Sequence, residues 1–442
     1  MNTEDPLSLH LPGGALPNWR DPAWFKREFA DMTDADIDIA VCDYWLTEDW
    51  SWQAIPNMIA ALDQLAAEGK RTPGLGMFYE TEPLYDVDMK TTDGKEFLYA
   101  PIHKFFATLV SKYWGKIDGR PVVWFYDTGG QITAYDQSTM DFLYDRFNAD
   151  FGVRPYIVLD HTWVDEQSLR VDGIYTWGVA YMGYQPRDQI AGAGPGQDDR
   201  LIPSRNPHIV VDRNNGAWYA RNLYYALASG RNILWLETWN EHHEATNIND
   251  TAEYGRKFID MTKQYVDMFR RGVMPPKPAS GPYAAATTVS ATLAGTEGTW
   301  DGLRMVDERG DGLWQPTEIG GQAARQTTGS EPGRYLYFAI DDDFAFFDTP
   351  ITVTVQIDFF NVGSVQLALE YDNYVPGQSN YLSDHYRSTK VSSSGSPGRW
   401  QTASVTLRNV RFANGQNGGA DFRLWGGENR DIIVRRVSIT KQ

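Results

Sequence analysis

Glu241 and Glu244 stand three residues apart in the run Trp239-Asn-Glu-His-His-Glu244. One turn of chain at that point aims both carboxylates into the same cavity. Two carboxylates flanking one bond suit glycoside cleavage. One protonates the leaving oxygen, and the other supports the charge that develops at the sugar. Trp239 offers an apolar face for a sugar ring and a spare N–H donor. Asn240 and His243 are close enough in sequence to orient the pair. The order Glu-His-His-Glu is not the His-Glu-x-x-His of a zinc helix, and adjacent histidines point in different directions. No metal site and no cofactor is expected.

These residues need a scaffold, and the chain before them supplies a repeating one. Residues 232–237 open as a continuous apolar run, too short for an independent helix and bounded by polar residues. Such a run reads as a strand buried on both faces. Similar runs occur at 37–45, 74–79, 121–126, 155–159, 173–176 and 208–211. Each ends in aromatic or ionisable residues: Asp43, Tyr44 and Trp45, Glu80 and Glu82, Tyr126 and Asp127, Asp160 and His161, Tyr175 and Trp177, Asp212 and Arg213. Helical stretches separate most of them, near 22–32, 54–68, 102–114, 139–147 and 218–229, and another follows at 252–271.

Strand, rim residues and helix in alternation predict a parallel α/β sheet. Neither a GxGxxG nor a phosphate-binding loop is present. Chemistry at the end of every strand favours a closed (β/α)8 TIM-type barrel over a doubly wound sheet. The count reaches seven strands. Residues 1–20 hold no run fit for a central strand, so the first strand is expected to be missing or truncated. Those residues, or a neighbouring chain, are then expected to cover the edge between the strands near Ile37 and Ile233, because an open edge leaves backbone groups unpaired.

The segment Asn240-Glu-His-His-Glu-Ala-Thr246 resembles the Asn-Glu-Trp-His-Glu-Gly-Thr motif of glycoside hydrolase family 99, the endo-α-mannosidases and endo-α-mannanases. More distantly it is similar to the α-1,3-glucanases of family 71. His242 and Ala245 depart from the motif. Asp172-Gly-Ile-Tyr-Thr176, Arg213-Asn-Asn-Gly-Ala-Trp-Tyr219 and Glu80-Thr-Glu-Pro83 echo the same family in the same order. The resemblance covers roughly residues 20–272. It implies a retaining mechanism in which Glu241 is the base on the substrate's own 2-hydroxyl and Glu244 the acid, then the base. Tyr44, Trp45, Glu80, Glu82, Tyr126, Asp127, Asp160, His161, Tyr175, Trp177, Trp239, Asn240 and His243 are the expected substrate contacts.

Composition narrows the partners. The 442 residues carry 58 acidic and 40 basic side chains, a net charge of −18. That charge disfavours nucleic acid and anionic membranes and suits a neutral glycan. Cys42 is the one cysteine, so no intrachain disulfide is possible, and its apolar neighbours predict an inert buried thiol. No apolar span is long enough for a transmembrane helix. The first residues lack a basic and then apolar leader pattern. A polysaccharide substrate still argues for a secreted or periplasmic place over a cytoplasmic one.

Residues 1–272 form the expected catalytic domain and 273–284 a Pro-rich linker. Residues 285–442 alternate apolar and polar, as at 351–357, 365–371, 402–407 and 431–437, and predict an antiparallel β-sandwich. Such a module beside a glycosidase barrel looks like a carbohydrate-binding module, with Trp314, Tyr374, Tyr381, Tyr386 and Trp425 as its candidate sugar platform. Asp341–Asp343 is an acidic run that reads as calcium-binding or, more simply, as a solvated turn. The rivals to a mannan-type glycosidase are a conventional two-carboxylate glycosidase on another polysaccharide, a non-catalytic glycan-binding protein and a glycan-assembly protein.

Overall fold

The computed structural model describes residues 7–442 apart from 46–48, 165–167, 187, 308–309, 329–333, 348–349, 364–366, 376–383, 392–395 and 428–429. Seven parallel strands build the first half: β1 (Ile39–Tyr44), β2 (Gly74–Tyr79), β3 (Arg120–Phe125), β4 (Tyr156–Asp160), β5 (Gly173–Tyr175), β6 (Ala191–Ala193) and β7 (Leu234–Leu236). The first five pair in sequence order, as in β1–β2, where Ile39 faces Gly74. β6 pairs with β7, with Ala191 opposite Leu234. The amides of Gln189 and Ile190 donate to the Ile174 carbonyl and tie β6 to β5.

Val41 of β1, Phe78 of β2, Trp124 of β3, Val158 of β4, Tyr175 of β5 and Trp235 of β7 share one inner core. The opposite faces of β1 to β4, with Tyr44, Met77, Phe125 and Leu159, pack against the surrounding helices. These are α1 (Pro22–Asp34), α2 (Asp49–Ala67), α3 (Thr92–Thr108) and α4 (Gln137–Phe151); the short α5 (Val179–Met182) follows β5, and α6 (Ala217–Ala228) and α7 (Lys257–Arg271) flank β7. Asp21 caps α1 by accepting from Ala23 N, with Pro22 at the first helical position. α3 begins ten residues before the helix expected at 102–114 and ends at Thr108. Thr91 caps it by accepting from Gly94 N, and the chain tolerates Pro101 inside the helix.

Two strand assignments differ from the sequence reading. The run at 208–211 is not a member of the parallel sheet. Its Val210–Val211 pairs antiparallel with Gln197–Asp198. The sixth parallel strand is instead the Ala-Gly-Ala of β6, which carries too little apolar bulk to show as a strand. Small residues are needed there. A Cβ on Gly192 would press on Val179, and one on Gly194 would meet Ala180 Cα at 2.4 Å and the Glu237 carbonyl at 2.6 Å.

Among the described residues no ladder joins β7 to β1. Side chains fill this seam. Trp239, after β7, packs against the cluster that contains Trp24 and Phe25. Its indole N–H donates to Glu28 of α1 at 2.7 Å, and Asn249 donates to the same oxygen at 3.1 Å. The N-terminal segment crosses the loop after β7. Ser8 N and Leu9 N donate to the His242 carbonyl at 3.0 and 3.2 Å, and Ala252 N donates to the His10 carbonyl at 2.7 Å. Leu9 and Leu11 are buried.

After an irregular stretch at 273–280, the rest of the chain is antiparallel β-structure. One sheet is centred on Ile433–Lys441, which pairs with Thr288–Thr292, Gln322–Thr327 and Ile351–Asn361. The other runs through Leu303–Val306, Tyr335–Ile340, Phe422–Trp425, Ala368–Tyr371 and Arg387–Lys390. Their apolar inner faces meet in a shared core that includes Val355, Phe338 and Leu424. This unit is seated on the first. Phe346 packs with Tyr184, Ala191 and Ala226, and Asp343 forms an ion pair with Arg221 of α6. The acidic run 341–343 thus serves as a docking turn, with Asp343 also accepting from Gly281 N and Asp342 from Asn414.

Because Gly194 has backbone atoms on both sides, Gly194→Ala should destabilise the protein by at least the about 1–3 kcal/mol typical of overpacking. Gly130, at φ +69 with nothing within 4 Å of an added Cβ, should lose only the about 1–2 kcal/mol of a left-handed alanine. Thermal unfolding of the two variants checks the order; equal losses would contradict the placement of β6.

Candidate active site

The C-terminal ends of the strands converge. Asp43 ends β1, Glu80 follows β2, Asp127 follows β3, and Glu241 and Glu244 lie on the loop after β7. Burial pushes each of the first four carboxyls up, and neighbouring acids add to the rise for three of them. Asp43 rises to about 6 by burial. Glu80 rises to about 8, with Asp43 and Asp127 contributing. Asp127 rises to about 7, with Asp160 contributing and His161 opposing. Glu241 rises to about 7 through burial, Glu244 and Asp43, against a donor from His243 N and the charge of Arg205. Four acids from four strand ends occupy one end of the sheet, and Asp43 raises both Glu80 and Glu241.

The loop after β7 is closed on itself. Thr238 N donates to the Thr246 carbonyl at 3.0 Å, Ile248 N donates to the Thr238 carbonyl at 3.0 Å, and the two threonine hydroxyls meet at 2.9 Å. Arg213 clamps it from outside. Its buried guanidinium donates to the carbonyls of Ala245 and Asn247 at 2.6 and 2.7 Å. Ala245 sits at φ +52, a left-handed conformation in which a glycine is the unstrained residue. His243 N donates to Glu241 Oε1 at 3.3 Å. Glu244 is ion-paired with Arg205.

Beneath the carboxylates lies an aromatic floor. Trp177 is 5.1 Å from Tyr126 and 5.3 Å from Phe78, centroid to centroid, and Phe78 stacks on Trp235 at 5.9 Å. Tyr126 and Trp177 keep partial exposure, so a ring lying across them could stack. Two buried acids hold this floor. Asp160 accepts from Trp177 N at 2.7 Å. Glu237, at the end of β7, accepts from Gly178 N at 2.9 and 3.0 Å, and burial pushes its carboxyl up to about 8.

Several expected contacts fall elsewhere. Tyr44 is 1% exposed, donates to the Ser51 carbonyl at 2.8 Å and packs on Trp52 and Phe105 behind the sheet. Strand alternation gives the cavity side of β1 to Asp43 instead. Tyr175 is also 1% exposed and donates to the Phe125 carbonyl, so it belongs to the inner core. Asp160 is 1% exposed with both oxygens engaged within the protein. Trp239 closes the seam through Glu28 rather than offering a spare N–H. His242, which departs from the family motif, is buried and turns its Nδ1 to the Leu9 carbonyl at 3.1 Å. Trp45 donates to Asp43 at 3.1 Å. Glu82 is exposed at the rim, Asn240 and His161 are half-buried, and His243 is buried beside Glu241.

Sequence reasoning placed Asp43 at the strand rim without naming it a substrate contact, and it missed Arg205, Glu237 and Phe78. Asp43 was available from period-two alternation in β1. Arg205 comes from a loop with no periodic signal.

In the second unit the candidate sugar platform is dispersed. Trp314 lies under Arg325 at 3.7 Å, Tyr374 packs on Phe347 at the junction, and Tyr381 is outside the described residues. Tyr386 and Trp425 remain together, flanking Tyr335 and Arg423 on the smaller sheet. Among the described residues no cluster of His, Cys, Asp and Glu is arranged to hold a metal ion, and no helix is long and apolar enough to cross a membrane. A cavity of about 600 Å³ lies at the opposite end of the strands, lined by Arg120, Arg154, Arg170 and Asp172.

The sequence pattern described as "Domain of unknown function (DUF5010)" matches residues 30–286, more than half of the chain. The chain belongs to the DUF5010 family. No curated protein matches it. Among solved structures, this DUF5010 chain is similar to a GH99 endo-α-mannosidase from Bacteroides thetaiotaomicron, at 17% identity over 60% of this chain and 88% of that one, with a TM-score of 0.45. A glycoside hydrolase-like protein matches at 14% identity over 59% and 90%, with a TM-score of 0.46. The second unit is similar to the CBM22-1 xylan-binding domain from Paenibacillus barcinonensis Xyn10C, at 14% identity over 34% and 92%, with a TM-score of 0.22.

The raised carboxyl of Glu80 has a consequence for stability. Its folded value, about 8, lies above the ordinary 4.5, so the unfolded chain releases this proton first as pH rises. Stability is therefore present below about 4.5 and is lost progressively towards about 8. Glu80→Gln removes the ionisation. The stability of the variant relative to the parent should rise by up to a few kcal/mol across that window and then level off, as read by denaturant unfolding at a series of pH values. A difference independent of pH would contradict the buried, crowded placement of Glu80.

Proposed function

We propose that this protein is a glycoside hydrolase whose chemistry is carried by Glu241 and Glu244. The observation that carries the reading is the placement of this pair. The two acids sit on one self-bonded loop at the C-terminal ends of the parallel strands, above the Tyr126–Trp177 floor, in electrostatic contact with one another. In a parallel α/β cylinder that end is where catalytic groups gather. We read the seven-stranded sheet as a TIM-type barrel with one seam held by side chains.

The favoured substrate is an α-linked, α-mannan-like glycan, cleaved with retention. Glu241 takes the proton of the substrate's 2-hydroxyl as that oxygen closes on the anomeric carbon. Glu244 gives a proton to the leaving oxygen and later takes one from the water that opens the 1,2-anhydro sugar, while Glu241 returns its proton to O2 as that ring opens. Atoms and charge balance: one water enters, one glycosidic C–O bond breaks, and both carboxyls return to their starting states. The path needs O2 and the leaving group trans across C1–C2, as in α-mannosides. Near neutral pH Glu241, at about 7, is available in both forms, as a base poised near the operating pH should be. The Tyr335–Tyr386–Trp425 face of the second unit is a candidate glycan contact for longer substrates.

A polysaccharide panel assayed for new reducing ends tests the reading. Glu241→Gln and Glu244→Gln should each fold and lose on the order of 10² to 10⁴ in rate, the usual worth of general acid–base help. A substrate with a good leaving group should partly rescue Glu244→Gln and leave Glu241→Gln inactive. Parent-like turnover in both variants would move the chemistry to Glu80, Asp127 or another rim acid. Binding without turnover by the parent would favour a glycan-binding protein.

A further inference from the structure

Glu244 faces a cation that the proposed chemistry does not use. Arg205 lies in the segment 197–211, and its guanidinium bridges two acids: Glu244, and Asp199 at 3.2 Å. Asp199 is fully buried. Its other oxygen accepts from Ile209 N at 2.6 Å, while Asp199 N donates to the Ile209 carbonyl at 3.2 Å. Asp198 N donates to the Glu244 carbonyl at 2.7 Å. The segment is thus fastened to the Glu244 backbone at one point and to its side chain at another. The arginine keeps partial solvent exposure, 29% for its side chain. Glu241 on its own loop, Glu237 at the end of β7 and Tyr126 from the β3 end also feel the charge of Glu244, and His243 precedes it in the chain. His208 stands behind Arg205, 3.6 Å from Asp199.

A general acid must hold a proton, whereas a guanidinium at ion-pair distance favours the anion. The resting geometry and the proposed role of Glu244 therefore conflict, unless the pair opens during turnover. Resting on the glycosidase reading, we propose that Arg205 is a positioning residue that latches Glu244 as an anion in the empty site, so that a glycan must part the two before Glu244 can carry a proton. At rest the proton sits on Glu241, whose carboxyl is pushed up to about 7 by burial and Glu244. On opening, the proton passes to Glu244 as Glu241 becomes the base, with none gained or lost by the pair. A water molecule or a non-cognate sugar that fails to displace Arg205 meets an acid that cannot protonate a leaving group.

The test compares Arg205→Met with Arg205→Lys. Arg205 favours the doubly ionised pair, so its loss should move the pair's last proton release to higher pH. In Arg205→Met the high-pH limb of kcat/KM should shift upward by about one unit or more, with KM lowered because nothing need be displaced. Arg205→Lys should restore the parental limb. An unmoved limb with reduced kcat would make Arg205 merely structural, and a raised KM with an unmoved limb would make it a sugar contact; either result overturns the latch. Carboxyl ¹³C titration of the parent and Arg205→Met, assigned with Glu241→Gln and Glu244→Gln, reads the same shift without turnover. The latch can then fail while the glycosidase reading stands, or the reverse. If Arg205→Met does not fold, hydrogen exchange in Glu244→Gln serves instead. Amides of residues 199–209 should exchange at least tenfold faster than in the parent, and unchanged protection would overturn the proposal.

Discussion

Desolvation of like charges governs this molecule. Asp43, Glu80, Asp127, Glu237 and Glu241 are all pushed above the ordinary carboxylate range, and burial leads the causes for every one. A fold does not gather that many acids for stability, because each ionised carboxylate withheld from water is unfavourable. The crowding is tolerable only because the backbone supplies donors. Glu80 accepts from Thr81 N and Glu82 N, Glu237 from Gly178 N, and Glu241 from His243 N. Acids held in this way exchange protons near neutral pH, which is the property that acid–base chemistry requires.

The scaffold around them is arranged to keep the loop after β7 in one conformation. Arg213 grips its backbone, Glu28 holds Trp239 and Asn249, and the N-terminal segment lies across His242. Among the described residues, the seam between β1 and β7 is bridged by these polar contacts rather than by ladder hydrogen bonds. That choice places a buried carboxylate, Glu28, at the joint, and its partners are the tryptophan and asparagine of the same loop. The joint and the site therefore depend on each other: a change at Glu28 would be felt at the loop that bears Glu241.

Much of this was legible in the sequence, for identifiable reasons. The strands β1 to β5 and β7 show because a strand covered on both faces must be apolar throughout. The Glu241–Glu244 pair shows because it follows such a run. β6 does not show, because its job is close approach and its residues are Ala191, Gly192 and Ala193. The run at 208–211 misleads because Ile209, Val210 and Val211 have strand propensity but pair locally with 197–198. Tyr44 misleads by parity, since a one-residue shift along a strand exchanges cavity for core. Arg205 was beyond reach, because an ion pair between residues 39 apart in sequence leaves no local pattern.

A crystal structure of Glu244→Gln soaked with an α-mannan oligosaccharide tests the central claim most directly. The account predicts one glycosidic linkage held between residues 241 and 244. Its oxygen should lie within hydrogen-bond distance of the substituted side chain, the sugar 2-hydroxyl should face Glu241, and a ring should rest on Tyr126 and Trp177. A glycan bound only on the second unit, or in the cavity beside Arg120 at the other end of the strands, would contradict it.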